Sequence, residues 1–233
     1  MAITKYGYDV FFTVTVLCLL LLLVALVFIE PRWLRIGLVA FVLLFFGFTV
    51  NFFRDPERTP PSGDHLVLSP ADGKVIGIKK VEEKEFFGGE TTQISIFMSP
   101  VNVHVNRAPI SGTVKHYRYV KGEYFAAFED KASEKNEQTI IGIEGEHGKV
   151  LLKQIAGFIA RRIVCTLRVG DETKAGERFG MIKFGSRVDV FVPTSAHITV
   201  REGEVAVAGE TVLAEFSRAS ETTSRRDSED AER

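Results

Sequence analysis

Two long apolar runs lie at the start of the chain. Residues 10–29 are twenty positions without a charge, and residues 36–53 are eighteen more, broken only by Gly37, Gly47, Thr49 and Asn51. At about 1.5 Å per residue these predict helices about 30 and 27 Å long, close to the hydrocarbon thickness of a bilayer. A cleavable signal peptide fits poorly, because the first run is too long and a second follows at once. The connector Glu30-Pro31-Arg32-Trp33-Leu34-Arg35 has a helix breaker, an interfacial Trp and two Arg, as a turn at a headgroup layer requires. The competing reading, two buried helices of a soluble core, is disfavoured by their length; a shallow re-entrant hairpin stays open. A hairpin puts both its ends on one side. There Lys5, Arg54 and Arg58 face Arg32 and Arg35 of the turn, which leans by a thin margin towards a cell-membrane protein with its main domain on the cytoplasmic side.

The pattern changes after residue 53. Arg54-Asp55-Pro56-Glu57-Arg58-Thr59-Pro60-Pro61 is charged and Pro-rich and marks a boundary. Beyond it come short β-type runs at 74–78, 93–98, 112–118, 139–144, 149–155, 162–167, 187–192 and 197–200, mostly punctuated by Gly, Pro, Asn or Asp. The expected organisation is a membrane anchor over 1–53, a linker over 54–65, a compact domain over 66–216 and a disordered tail over 217–233. The fold class is mostly β (α+β). One short polar helix is a candidate at 126–138, "AAFEDKASEKNEQ". Segments 169–186 and 200–216 echo each other, each placing a Gly-acid turn before an Ala-Gly-Glu turn. That rhythm resembles the hairpins of lipoyl-type barrel-sandwich domains. Lys183 in "MIKFGS" is a poor match to their carrier motif, so the echo is taken as architecture.

Charge and cysteine content narrow the function only by exclusion. With 29 basic and 30 acidic residues the net charge is −1, which gives no reason to expect nucleic-acid binding. Cys18 lies inside an apolar run, so pairing with Cys165 is not expected. There is no Gly-rich phosphate loop, no CxxC pair and no HExxH, and no two of the five His are spaced i, i+4, so no metal site is expected. What remains is an acid, a His and a Ser in three settings: Asp72 in "SPADGKV", His104 in "SPVNVHVNRAP" and Ser186 in "KFGSRVDVFVP". Each has a plain alternative, as a turn former, a packing residue and a turn residue. In the last stretch Val188, Val190 and Val192 read as one buried strand face, which leaves Gly185-Ser186 unexplained.

Four ordered segments carry a resemblance: "SPADGKV" (69–75), "MSPVNVHVNRAPISG" (98–112), "KGEYFAAFEDKASEKNEQ" (121–138) and "FGSRVDVFVP" (184–193). Together they resemble the short branch of the phosphatidylserine decarboxylase proenzymes, over about residues 50 to 216. The resemblance implies that the chain cuts itself between Gly185 and Ser186. Ser186 then becomes a covalent pyruvoyl cofactor at the head of the 186–233 piece, which stays with the 1–185 piece as a heterodimer. It further implies Schiff-base decarboxylation of phosphatidylserine to phosphatidylethanolamine at the bilayer. His104 is offered for proton transfer, with Asp72 orienting it in triad fashion. Longer members of the family carry a second His three positions after the first, where this chain has Arg107. Arg107 stays protonated and cannot inherit a base's role, so it is a candidate for binding the substrate phosphate or carboxylate. Oligomeric state and the base for self-cleavage stay open. Two other classes compete: a non-catalytic membrane-anchored adaptor with a lipoyl-like domain, and a hydrolase with an intact Ser186 nucleophile. The adaptor gives no reason for Asp72, His104 and Gly185-Ser186 to occur together. The hydrolase would want a GxSxG elbow, whereas "FGSRV" has no second Gly.

Overall fold

The computed structural model describes residues 2–122, 135–157, 162–183 and 186–217. Both apolar runs are helices, α1 over Tyr8–Phe28 and α2 over Arg32–Phe52. Each is long and apolar enough to cross a membrane, and side chains such as Leu19, Leu23, Phe41 and Leu44 point outward. The break between them is shorter than the expected six-residue connector, because Arg32–Arg35 form the first turn of α2. Pro31, with φ fixed near −61°, sits just ahead of that turn, where its missing N–H costs nothing. Arg35 closes the corner by donating from Nε to the Ile29 carbonyl at 3.0 Å, capping a carbonyl that α1 leaves open.

The remaining chain is mostly strand. An antiparallel eight-stranded sheet runs in the order Glu172–Thr173, Gly112–Val120, Gln138–Glu144, Lys149–Ala156, Ser186–Pro193, Gly89–Met98, Gly73–Glu83 and Val205–Ala206. Two three-stranded sheets lie beside it. One joins Arg162–Cys165, Arg178–Lys183 and Val105–Arg107; the other joins His197–Ile198, Val212–Glu215 and Leu66–Leu68. The inner face of the large sheet carries Val75, Ile94, Ile96, Ile141, Leu152 and the expected trio Val188, Val190 and Val192, all essentially without solvent contact. Burial of such a face is the main force holding the domain together. Residues 126–134 of the helix candidate lie outside the described residues; Lys135 is helical, and Gln138 opens a strand.

The sequence echo has a geometric counterpart. Gly170 and Gly203 have φ of +97° and +91°, and Gly176 and Gly209 have φ of +80° and +75°, a conformation that side chains rarely adopt. The second pair of turns meets: a Cβ on Gly209 would stand 3.3 Å from the Gly176 Cα.

The segment expected to be a linker is strapped along the domain. Asp55 holds Arg178 at 2.8 Å and Arg107 at 3.4 Å, and Arg58 reaches Asp72 at 2.8 Å and Glu210 at 3.3 Å. Ahead of the strap, the Thr4 N–H donates to the Phe53 carbonyl at 2.9 Å, pairing the two ends of the hairpin. Gly7 is needed there, since a Cβ would lie 2.2 Å from Cδ1 of Phe53. Removing Asp55 leaves two neighbouring guanidiniums without their shared counter-ion. The expected cost of Asp55→Ala is about 3–5 kcal/mol. It should appear as a melting-temperature fall of about 10 °C in detergent. A shift under about 2 °C, well short of that fall, would remove Asp55 as the anchor of the strap.

Candidate active site

Ser186 is the first residue of the central strand and has no solvent contact. It pairs with Met98 on one side and Ala156 on the other, and its Oγ donates to Met98 Sδ at 3.2 Å. The preceding strand, Arg178–Lys183, belongs to a different sheet, so the chain changes sheets between Lys183 and Ser186. Gly185 lies outside the described residues. On the far face of the central strand Arg187 and Asp189 form a buried pair at 2.6 Å, with Arg187 also donating to Ser95 Oγ at 2.7 Å. A one-residue slip would drive these charges into the apolar core, so the pair fixes the register that places Ser186.

His104 is equally buried. Its loop leaves the eight-stranded sheet at Met98, opposite Ser186, and reaches the three-stranded sheet of Val105–Arg107 at His104, whose carbonyl accepts from the Ile182 N–H at 3.3 Å. The two ends of this loop are therefore bonded to residues on either side of Gly185. Within it Ser99 and Asn102 lock each other: the Ser99 N–H and Oγ donate to Asn102 Oδ1 at 2.8 and 2.9 Å, and the Asn102 N–H returns to the Ser99 carbonyl at 2.9 Å. The Asn102 carbonyl then faces His104 Nδ1 at 3.0 Å. A carbonyl can only accept, so Nδ1 carries the proton and Nε2 keeps its lone pair. Burial pushes the imidazole pKa down to about 4; the bond to the Asn102 carbonyl opposes this and the charge of Arg54 adds to it. Nε2 is buried and has no hydrogen-bond partner among the described residues.

A second polar element approaches Ser186 from the inner face. Asn106 Nδ2 donates to the Pro70 carbonyl at 3.2 Å, and Gln154 Nε2 donates to Asn106 Oδ1 at 2.8 Å. The backbone carbonyl fixes the direction of both amides, and this leaves Gln154 Oε1 buried without a donor among the described residues. Gln154 pairs with Val188 and so shares a face with Ser186, while Asn106 Nδ2 lies 4.0 Å from the same Met98 sulfur that Ser186 touches. Each orphaned buried polar atom costs about 1–3 kcal/mol, which a protein retains where a group has work to do. Asn106 lies inside the segment 98–112 without being singled out there, and Gln154 lies in none of the four segments. A signal for Gln154 did exist, since it is a lone amide within the apolar run "VLLKQIA".

Asp72 and Arg107 are placed elsewhere in the network. Asp72 accepts from the Ala208 N–H at 2.8 Å and from Arg58 at 2.8 Å, and no hydrogen bond joins it to His104 among the described residues. Burial raises its pKa, against the Ala208 N–H and the charge of Arg58. Gly73, beside it, allows close approach of the neighbouring strand: a Cβ would stand 2.3 Å from the Phe97 carbonyl oxygen. Arg107 is buried and donates to the carbonyls of Gly176 and Pro56, both at 2.9 Å, besides its contact with Asp55. In this structure both residues tie the strap to the domain.

Known proteins resemble this chain across most of its length. Residues 45–214 match the family model described as phosphatidylserine decarboxylase. The chain is similar to a phosphatidylserine decarboxylase proenzyme of Pelodictyon phaeoclathratiforme, 45% identical over 213 residues, covering 91% of this chain and 99% of that protein. A proenzyme of the same description from Chlorobium limicola is 47% identical over 214 residues, covering 92% and 100%. One from Wolbachia sp. subsp. Brugia malayi is 51% identical over 177 residues, covering 72% and 75%. With its buried serine, its buried neutral imidazole and a match across most of its length, this chain belongs to the phosphatidylserine decarboxylase family of enzymes.

Proposed function

We propose that the chain is a membrane-anchored decarboxylase that cuts itself between Gly185 and Ser186, turns Ser186 into a pyruvoyl group, and converts phosphatidylserine to phosphatidylethanolamine. The observation that carries this reading is the buried Ser186 at the head of the central strand, opposite Met98, where the loop that bears the orphaned Nε2 of His104 begins. A hydroxyl is a weak nucleophile, and a neutral imidazole with a free lone pair is the group that removes its proton. Attack of Ser186 Oγ on the Gly185 carbonyl carbon forms an ester as the peptide C–N bond breaks and the Ser186 nitrogen takes a proton. Loss of the Cα proton and of the carboxylate then leaves a dehydroalanine, and water converts that end to a ketone with release of ammonia. Only water is consumed.

The residues present fit a group made in this way. The strand that begins at residue 186 is paired with those of Met98 and Ala156 on its two sides, so a carbonyl made at its head is held in place. When present, the pyruvoyl group supplies the electron sink that decarboxylation of an amino acid headgroup requires. The cut falls where the chain changes sheets, so 178–183 keeps its partners 162–165 and 105–107 while 186–193 keeps both of its own. The pieces 1–185 and 186–233 are thus expected to stay together as a heterodimer. Asp72 and Arg107 act here through the strap, by holding the domain against the anchor. The hairpin keeps the site beside a bilayer that holds its two-chain substrate, which raises the effective concentration; its basic ends favour the cytoplasmic face.

Mass measurement of the chain purified from membranes tests the reading. Two pieces are expected, 1–185 and 186–233, and the smaller should lack a free amino end and react with a carbonyl reagent. A whole chain in a preparation that decarboxylates phosphatidylserine would overturn it.

A further inference from the structure

The end of α2 reaches into the site. The Phe52 ring, with no solvent contact, lies 4.2 Å from the His104 ring, centroid to centroid, at an interplanar angle of 32°. Phe53 stands edge-on to Phe52 at 5.1 Å, and both belong to an apolar cluster with Tyr6, Val103, Val105 and Met181. Two residues beyond Phe52, Arg54 donates to the Asn51 carbonyl at 2.6 Å and to the Val101 carbonyl, inside the His104 loop, at 2.9 Å. At the start of α1, Asp9 accepts from the buried Lys183 ammonium at 2.9 Å, two residues before Gly185. The hairpin therefore touches the His104 loop and the strand that leads to the scissile bond.

We infer that Phe52 is a positioning residue for self-cleavage: its ring covers one face of His104, keeps water from it and fixes the direction of Nε2. The membrane hairpin is then a working part of the processing site as well as a tether. This inference rests on the role proposed above for His104. Without the Phe52 ring, water reaches the imidazole and its charged form is no longer excluded by burial. Among the described residues the charged group acting on the imidazole is Arg54, and it stays in place, so the pKa returns only part of the way to its ordinary value. Apolar cover is what the position needs, so Leu should serve where Ala does not.

The test follows self-cleavage of the full chain, synthesised in a short cell-free pulse into phosphatidylcholine–phosphatidylglycerol vesicles and then shifted to buffers from about pH 5 to 8, the range in which an ordinary imidazole titrates. The readout is the ratio of the cleavage rate at the acidic end of that range to the rate at the alkaline end. Wild type is expected to give a ratio near one. Phe52→Ala is expected to lower that ratio at least threefold, beyond any loss of rate common to all pH values, and Phe52→Leu to restore it. A purely structural role slows cleavage equally at every pH, so an unchanged ratio in Phe52→Ala overturns the inference. Equal ratios for the Ala and Leu variants overturn it as well. If Phe52→Ala does not accumulate, Phe52→Gln, close to Leu in size but polar, takes its place as the variant without apolar cover, and the same two outcomes overturn the inference. A His104→Gln control separates the two levels. Its cleavage at the wild-type rate would remove the base role itself, whereas a slow His104→Gln with an unchanged Phe52→Ala ratio would remove only the part given to Phe52.

Discussion

Ser186→Ala should leave a single chain of 26.0 kDa, with no smaller piece at any time and no decarboxylation of phosphatidylserine. The substitution is a sharp test because it is structurally mild. Ser186 has no solvent contact and its Oγ meets the Met98 sulfur, a weak acceptor, so deleting the oxygen strands no strong partner among the described residues and opens little space. The strand keeps its ladder to the strands of Met98 and Ala156, and the Arg187–Asp189 pair still sets its register. Loss of cutting in a chain of unchanged melting temperature therefore reports on the nucleophile. Ser186→Cys, which keeps a nucleophile at the same point, should cut slowly where the Ala variant does not cut at all. The role given to Ser186 would be wrong if the Ala chain were still cut, or if it stayed whole and still decarboxylated phosphatidylserine.

The sequence makes some parts of this structure plain and hides others, for physical reasons. The hairpin is legible because a long unbroken apolar run needs no tertiary information to be a helix. The strand 186–193 is legible because one sheet face is buried and alternation records it. The strap over 54–65 reads as a linker because its composition is that of one; what pins it are Arg107, Arg178 and Glu210, whose positions only the fold supplies. The site divides in the same way. Ser186 and His104 sit in local motifs and can be named from them. Phe52, Asn106 and Gln154 take their meaning from register and packing: Gln154 matters because it lies across from Val188, and Phe52 because α2 ends against the His104 loop. The triad idea fares differently again. The family resemblance implies Asp72 as the orienting partner of His104, yet a backbone carbonyl two residues away makes that hydrogen bond and the carboxylate faces Arg58. A carbonyl in that place fixes the tautomer as well as a carboxylate would, without adding a charge that favours the imidazolium.

The burial of His104 predicts an unusual pH dependence. An imidazole of ordinary pKa, about 6.5, loses its base form between about pH 7 and 5. With the pKa of His104 held at about 4, the neutral form persists to much lower pH. Self-cleavage should accordingly be level from about pH 8 to about pH 5 and fall about tenfold for each further pH step of one below about pH 4. His104→Ala should slow it by about 10²–10⁴ at all pH values and abolish the acidic limb. The lowered pKa acts on stability with a definite sign. The unfolded chain binds this proton at about pH 6.5 and the folded chain only near pH 4, so folding is fully supported above 6.5 and loses support as pH falls towards 4. The loss amounts to about 3 kcal/mol, because each tenfold change in proton affinity is worth about 1.4 kcal/mol. Carboxylates also titrate in this range, so the informative quantity is a difference between two uncut chains. Relative to Ser186→Ala, the Ser186→Ala/His104→Ala double variant should gain stability as the pH is lowered from 6.5 to about 4, measured by denaturant unfolding in detergent. Parallel curves for the two chains would mean that His104 is not held neutral by burial, and the level cleavage profile would then have to come from another base.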